Sequence, residues 1–212
     1  MILDPTMSSH KLLVANRGEI AVRILRTARR LGLRTIAVYT LSDATSPHVI
    51  LADEAAPLRV QDEDPISNAR GYLDADDIVA VCKQRGATLL HPGYGFLSEN
   101  SEFAKKVADA GIIWLGPRPE TIEAMGLKHR ARELAREVDV PLVPGSNGLL
   151  QNADEAVTLA RKMGFPVMLK STAGGGGMGL VICSTADEME VKFTSTQARA
   201  EVLCRSLTLS RA

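Results

Sequence analysis

The sequence predicts an α/β protein: a doubly wound parallel sheet followed by a smaller α+β unit. Three observations carry that reading. Short apolar runs alternate with stretches of helical periodicity over about the first 120 residues. The stretch "VPLVPGSNGLL" (140–150) holds two prolines and two glycines and reads as a hinge. Beyond it, two β-rich runs flank "AGGGGMG" (173–179).

"KLLVA" (11–15) reads as a buried strand that ends in the turn Asn16-Arg17-Gly18. A helix follows over 19–32, because Ile20, Ile24, Leu25, Ala28 and Leu31 recur at helical spacing and Gly32 suits a C-terminal cap. "RTIAVYT" (34–40) is the next strand, and strand, helix, strand in so short a stretch is a right-handed βαβ unit with a parallel sheet. The helix over 74–86 has an acidic first turn and a basic last turn, which suits its dipole. A strand over 87–91, a helix over 100–111 capped by Asn100 or Ser101, and a strand over 112–116 complete the sheet. Two short helices, "PETIEAM" and "KHRARELAREV", lead to the hinge. After it come a helix over 152–164, the strand "PVMLKS", the glycines, the strand "LVICS" and a helix from about Thr185 or Asp187.

Formal net charge is zero, so no general attraction to nucleic acid or to an anionic membrane is expected. No apolar run approaches the ~20 residues that span a bilayer. The opening "MILDPTMSSHK" lacks the regions of a secretory signal. Cys82, Cys183 and Cys204 are far apart, as expected for a reducing, cytoplasmic setting. His10, His48, His91 and His129 show no zinc spacing.

Gly174, Gly176 and Gly179 spell G-x-G-x-x-G, but the dinucleotide fingerprint needs a helix next, and "LVIC" reads as a strand. A phosphate-binding loop of the Walker type fails as well, since Leu180 stands where its lysine belongs. Strand, glycines, strand is a hairpin flap. Its N–H groups can meet phosphate oxygens because no Cβ shields them. Lys170, at the end of the preceding strand, can neutralise an anion there. The plainer alternative is a flexible hairpin whose Lys170 extends into water.

Several stretches together resemble one family. They are "KLLVANRGEIAVRILRTARRLGLRTIAVYT" (11–40), "LADEA" (51–55), "HPGYGFLSENSEFA" (91–104), "LGPRPETIEAMG" (115–126) and "FPVMLKSTAGGGGMG" (165–179). These look like the biotin carboxylase component of biotin-dependent carboxylases, in the ATP-grasp superfamily. "GLKHRARELAREVDVPLVPGSNGLL" (126–150) looks most like the urea carboxylase branch, because acyl-CoA and pyruvate carboxylases more often show an acidic residue in place of Leu127 and a basic one in place of Met178.

The resemblance implies a flexible N-terminus over 1–10, a Rossmann-like pre-ATP-grasp domain over 11–125, the start of the ATP-grasp core over 126–142, its lid over 143–204 and a divergent tail over 205–212. It implies ATP with Mg²⁺, bicarbonate, and biotin held on a carrier domain, with urea as the final carboxyl acceptor. It places Lys128 and Lys170 on the ATP phosphates, and Gly174, Gly175, Gly176, Gly177 and Gly179 in the loop that closes over them. Closure would shield a labile carboxyphosphate from water. Tyr94, Gly95 and Glu99, past the end of a predicted strand, are candidates for lining a cleft. His91 reads as structural, and Arg17 and Glu19 as structural or as part of a contact between subunits, including a homodimer through the first domain.

The resemblance implies catalytic residues, an adenine-binding strand and Mg²⁺ ligands in a following half that does not appear after Glu190, and "RSLTLSRA" (205–212) matches nothing in the family pattern. The expectation is therefore a truncated carboxylase, inactive or weak alone. The alternatives are a non-catalytic module that pairs with a full-length carboxylase, or another ATP-grasp ligase. The least ordered segments are expected at 172–179 and 195–212.

Overall fold

The computed structural model of the chain describes residues 9–60, 64, 69–146, 148–171, 180–201 and 207–211. The chain divides into two compact units, Met1–Glu123 and Ala124–Ala212.

The first unit holds β1 (Lys11–Val14), α1 (Gly18–Arg30), β2 (Arg34–Tyr39), α2 (Pro47–Leu51), β3 (Glu54–Pro57), α3 (Ala75–Arg85), β4 (Leu89–His91), α4 (Ser101–Asp109) and β5 (Ile113–Trp114). The five strands run parallel in the order β3-β2-β1-β4-β5. Register is direct: Val14 lies opposite Ala37 on one side and His91 on the other. Strands in such a sheet are covered on both faces, which is why β1 is apolar at every position after Lys11. Leu12 and Val14 pack with Ala21, Ile24, Leu25 and Ala28 of α1. Leu13, Ile36, Val38 and Leu90 face the opposite way, onto Ile78 and Cys82 of α3 and Phe103 and Val107 of α4.

Helix ends follow local chemistry. Asp74 and Asn100 cap α3 and α4 through the N–H groups of Asp77 and Phe103. Gly32, just beyond the cap residue of α1, has φ +75°, the left-handed geometry that closes a helix.

Helix α5 (Pro119–Gly126) spans the division between the units. The second unit adds α6 (Lys128–Glu137), α7 (Ala153–Met163), β6 (Val167–Ser171), β7 (Leu180–Cys183), α8 (Ala186–Glu201) and β8 (Leu207–Arg211). Its sheet is antiparallel, in the order β7-β6-β8. Val167, Leu169 and Cys183 bury one face of β6 and β7 with Ala156, Val157 and Ala160 of α7 and Met189 and Phe193 of α8.

One feature lies beyond the sequence reading. The tail read as divergent supplies β8, paired with β6 from Val167↔Arg211 to Ser171↔Leu207. Residues 195–201 continue α8. The glycine run expected to be least ordered lies outside the described residues. Among those described, no helix is long and apolar enough to cross a membrane.

Candidate functional site

In the first unit the chain builds β1, β2 and β3 outward on one side, then places β4 and β5 on the other. That reversal opens a crevice past the C-terminal ends of β1 and β4. Asn16 knits the two segments that leave those ends. It is fully buried. Its Nδ2 donates to the carbonyls of Pro92 at 2.8 Å and Tyr94 at 3.0 Å, and its Oδ1 accepts from the Arg17 N–H at 2.9 Å.

Gly93 sits against this amide. A Cβ there would come within 2.5 Å of Asn16 Nδ2 and 2.8 Å of Ile20 Cγ2, and its φ of +72° also favours glycine. The Gly93 N–H donates to His91 Nδ1 at 2.9 Å, so that ring nitrogen is the acceptor. Burial, assisted by the Arg23 charge, holds His91 below its ordinary pKa. It is the structural residue expected.

Tyr94 and Gly95 lie in the turn held by Asn16, with Gly95 at φ +71°. Tyr94 is half exposed, and its hydroxyl donates to the Glu19 carboxylate, which raises the phenol's pKa. Glu99 is exposed further along the same loop. Arg17 turns away to another partner: Nε and Nη2 grip the two oxygens of Asp43 at 2.6 and 2.7 Å. Tyr72 donates to the same carboxylate at 2.8 Å. Burial would raise the Asp43 pKa, but the hydrogen bonds from Arg17 and Tyr72 outweigh it and hold Asp43 below the usual carboxylate value. Neither Asp43 nor Tyr72 stood out in the sequence, because no motif joins residues so far apart in the chain.

In the second unit, Gly174, Gly175, Gly176, Gly177 and Gly179 lie outside the described residues, but both strands that flank them are described. Lys170 stands opposite Leu180 and Met168 opposite Ile182. Alternation along the strands puts these four on the face away from α7 and α8. Leu180 and Ile182 are 41% and 53% exposed there. Among the described residues none forms an ion pair or hydrogen bond with the Lys170 ammonium. The outcome is one cation beside Met168, Leu180 and Ile182 on the face of the β6–β7 ladder away from the helices, next to the glycine stretch. Met168, Leu180 and Ile182 were not singled out in the sequence; the period of two that set Leu169 inward would have placed Met168 on the face of Lys170. Lys128 opens α6, and its side chain lies outside the described part of the structure. No group of three His, Cys, Asp or Glu residues suited to a metal ion occurs among the described residues.

Residues 8–122 match the family "Biotin carboxylase, N-terminal domain". Residues 128–208 match "Carbamoyl-phosphate synthase L chain, ATP binding domain". A protein of Emericella nidulans named for urea carboxylase is 57% identical over 93% of this chain, which covers 16% of that protein. The biotin carboxylase of Halalkalibacterium halodurans is 49% identical over 90% of this chain, which spans 41% of it. The chain therefore spans less than half the length of these relatives.

Among solved structures, the biotin carboxylase domain dimer of Hydrogenobacter thermophilus 2-oxoglutarate carboxylase, in complex with MgADP, ADP and bicarbonate, is similar with a TM-score of 0.84 and 41% identity, covering 95% of this chain and 44% of that one. A Campylobacter jejuni biotin carboxylase complexed with β-γ-ATP gives a TM-score of 0.85 at 33% identity, with 95% of this chain and 45% of that one covered. On these matches, and with the first family spanning more than half of its residues, the chain belongs to the biotin carboxylase family.

Proposed function

We propose that the chain supplies the first domain and the phosphate-gripping lid of an ATP-dependent biotin carboxylase, one that carboxylates carrier-bound biotin from ATP and bicarbonate for transfer to urea. The observation that carries the proposal is the open face of the β6–β7 ladder, where Lys170 stands among Met168, Leu180 and Ile182 beside the glycine stretch. A nucleotide has a flat apolar base and a polyanionic tail. Methionine and leucine side chains can lie against the base, while the ammonium offsets phosphate charge. The glycine N–H groups can add donors where no Cβ intervenes. The residues present thus fit ATP.

When bound, ATP supplies the phosphoryl group that activates bicarbonate. The role of this chain's residues is to hold the polyphosphate and to exclude water from it. Lys170 is assigned to the phosphates on this reading. Lys128 and Gly174, Gly175, Gly176, Gly177 and Gly179 are assigned to them from the family pattern alone. No described cluster suits Mg²⁺, and no step is assigned to a metal here. Urea as the final acceptor is supported by the 57% identity to the Emericella nidulans protein.

Hydrogen exchange over residues 167–183 tests the proposal. MgATP is expected to protect these amides and MgAMP to protect them less. Lys170→Gln should weaken ATP binding about 10- to 100-fold, which corresponds to the ~1.5–3 kcal/mol of a charged hydrogen bond. No protection at saturating ATP would overturn the proposal. If the chain instead co-purifies with a full-length carboxylase and never binds nucleotide, the non-catalytic pairing module takes its place.

A further inference from the structure

Arg132 stands apart from the other arginines of α6. Arg130 and Arg136 are exposed, whereas Arg132 is half-buried. Its Nη2 donates to the Val143 carbonyl at 2.9 Å. Its Nε is buried and has no hydrogen-bond partner among the described residues. Burial, with the Arg136 charge, lowers the pKa of the guanidinium. A cation kept for stability alone would turn into water rather than leave a buried donor unpaired, and a leucine would pack there without that cost. What the side chain gains is its hold on Val143.

That hold falls at a turning point of the chain. The end of α6 is fixed: Asp139 has φ +56°, its N–H donates to the Arg136 carbonyl at 3.1 Å, and the Val140 N–H donates to the Ala135 carbonyl at 2.9 Å. Pro141 then stiffens the exit. Val138, Val140 and Val143 are exposed, so burial of these side chains does not anchor the segment. Ser146 is buried, and it lines one depression together with Asp154, Glu155 and Thr158 of α7. With the Arg132 bond made, Pro144 and Gly145 are the joint between a carbonyl tied to α6 and a residue seated near α7. Without it the joint runs over 141–145.

We propose, on the function assigned above, that Arg132 is a positioning residue for the nucleotide: it shortens the joint that sets α6 and Lys128 against the sheet that carries Lys170. Lys128 and Arg132 are four residues apart, so their positions share one side of α6. The apolar residues assigned to the base all lie on β6 and β7, beyond the joint in the chain. A longer joint therefore loosens the grip on the phosphates and leaves the seat of the base intact. The effective concentration of one tethered group at another falls roughly as the −3/2 power of tether length, so a joint of 141–145 in place of 144–145 weakens that grip about fourfold.

Calorimetric titration of the whole chain with MgATP and with MgAMP is the test. Arg132→Met should weaken MgATP about fourfold and leave MgAMP unchanged. Arg132→Lys, whose ammonium can still donate to the Val143 carbonyl, should restore most of the MgATP affinity. Arg130→Met, which breaks an exposed pair with Glu133, should leave both ligands unchanged. Circular dichroism checks each variant, and Arg132→Gln replaces Arg132→Met if that variant does not fold. With MgATP binding to the wild type, three results overturn the proposal: equal losses for MgATP and MgAMP, a loss in Arg132→Lys as large as in Arg132→Met, or full MgATP affinity in Arg132→Met. Absence of MgATP binding by the wild type overturns the nucleotide function itself, and the role of Arg132 with it.

Discussion

At the scale of single residues, the first domain turns on one buried amide. Asn16 satisfies two carbonyls and one N–H that join the ends of β1 and β4. Asn16→Ala leaves those carbonyls buried and unpaired, and should cost about 2–4 kcal/mol in urea unfolding. Gly93→Ala pushes a methyl into the same amide and should also destabilise, without removing any polar group. Two histidines set a pH response. Burial holds both His48 and His91 below their ordinary value of 6.5. Between the folded and unfolded pKa values the unfolded chain binds more protons, so stability rises with pH there and falls as pH drops below about 6.5. His48→Gln should flatten part of that slope, read from urea midpoints between about pH 5 and 7. Asp43 adds loss at lower pH. Its folded pKa lies below the usual carboxylate value, so its contribution is present above that value and lost as pH falls through the folded one.

At the scale of elements, β6 has two faces with opposite duties, one residue apart. Leu169 is fully buried against α7 and α8, so Leu169→Ala should cost about 2–5 kcal/mol. Met168 faces the open side, and Met168→Ala should cost about 1 kcal/mol or less while lowering nucleotide affinity; thermal unfolding and titration with ATP separate the two effects. Helix α7 rests on Asn152, which accepts the Glu155 N–H at 2.9 Å, and Asn152→Ala should cost about 1 kcal/mol. Elements of this kind were legible in the sequence because their signals are local. The apolar runs gave β1, β2, β4 and β6, a capping residue marked the start of α4, and end charges marked α3. Strand β3 was not, since "EAAP" carries little β preference and owes its state to pairing with β2 from Ile36↔Glu54 to Tyr39↔Pro57. Nor was the Arg17–Asp43–Tyr72 network, which exists only once the sheet brings its members together. Lys170 was singled out from its place before the glycines, whereas its apolar neighbours needed the register of β6 against β7.

At the scale of the molecule, each unit has its own core. The first buries Leu13, Ile36, Val38, Leu90 and Phe103 around its sheet, the second Val167, Leu169, Met189 and Phe193. Residues 1–123 expressed alone should therefore unfold in one cooperative transition by circular dichroism, and a non-cooperative melt would contradict this. Strand β8 has a different bearing on the whole. It fills the free side of β6, the strand that carries Lys170, while β7 fills the other. Take those five residues away and β6 becomes a rim of bare N–H and C=O groups, a template on which a stranger's strand can grow. A shortened chain ending before Leu207 should scatter light as it clumps, and a fusion attached there should be judged by whether it leaves that seam closed.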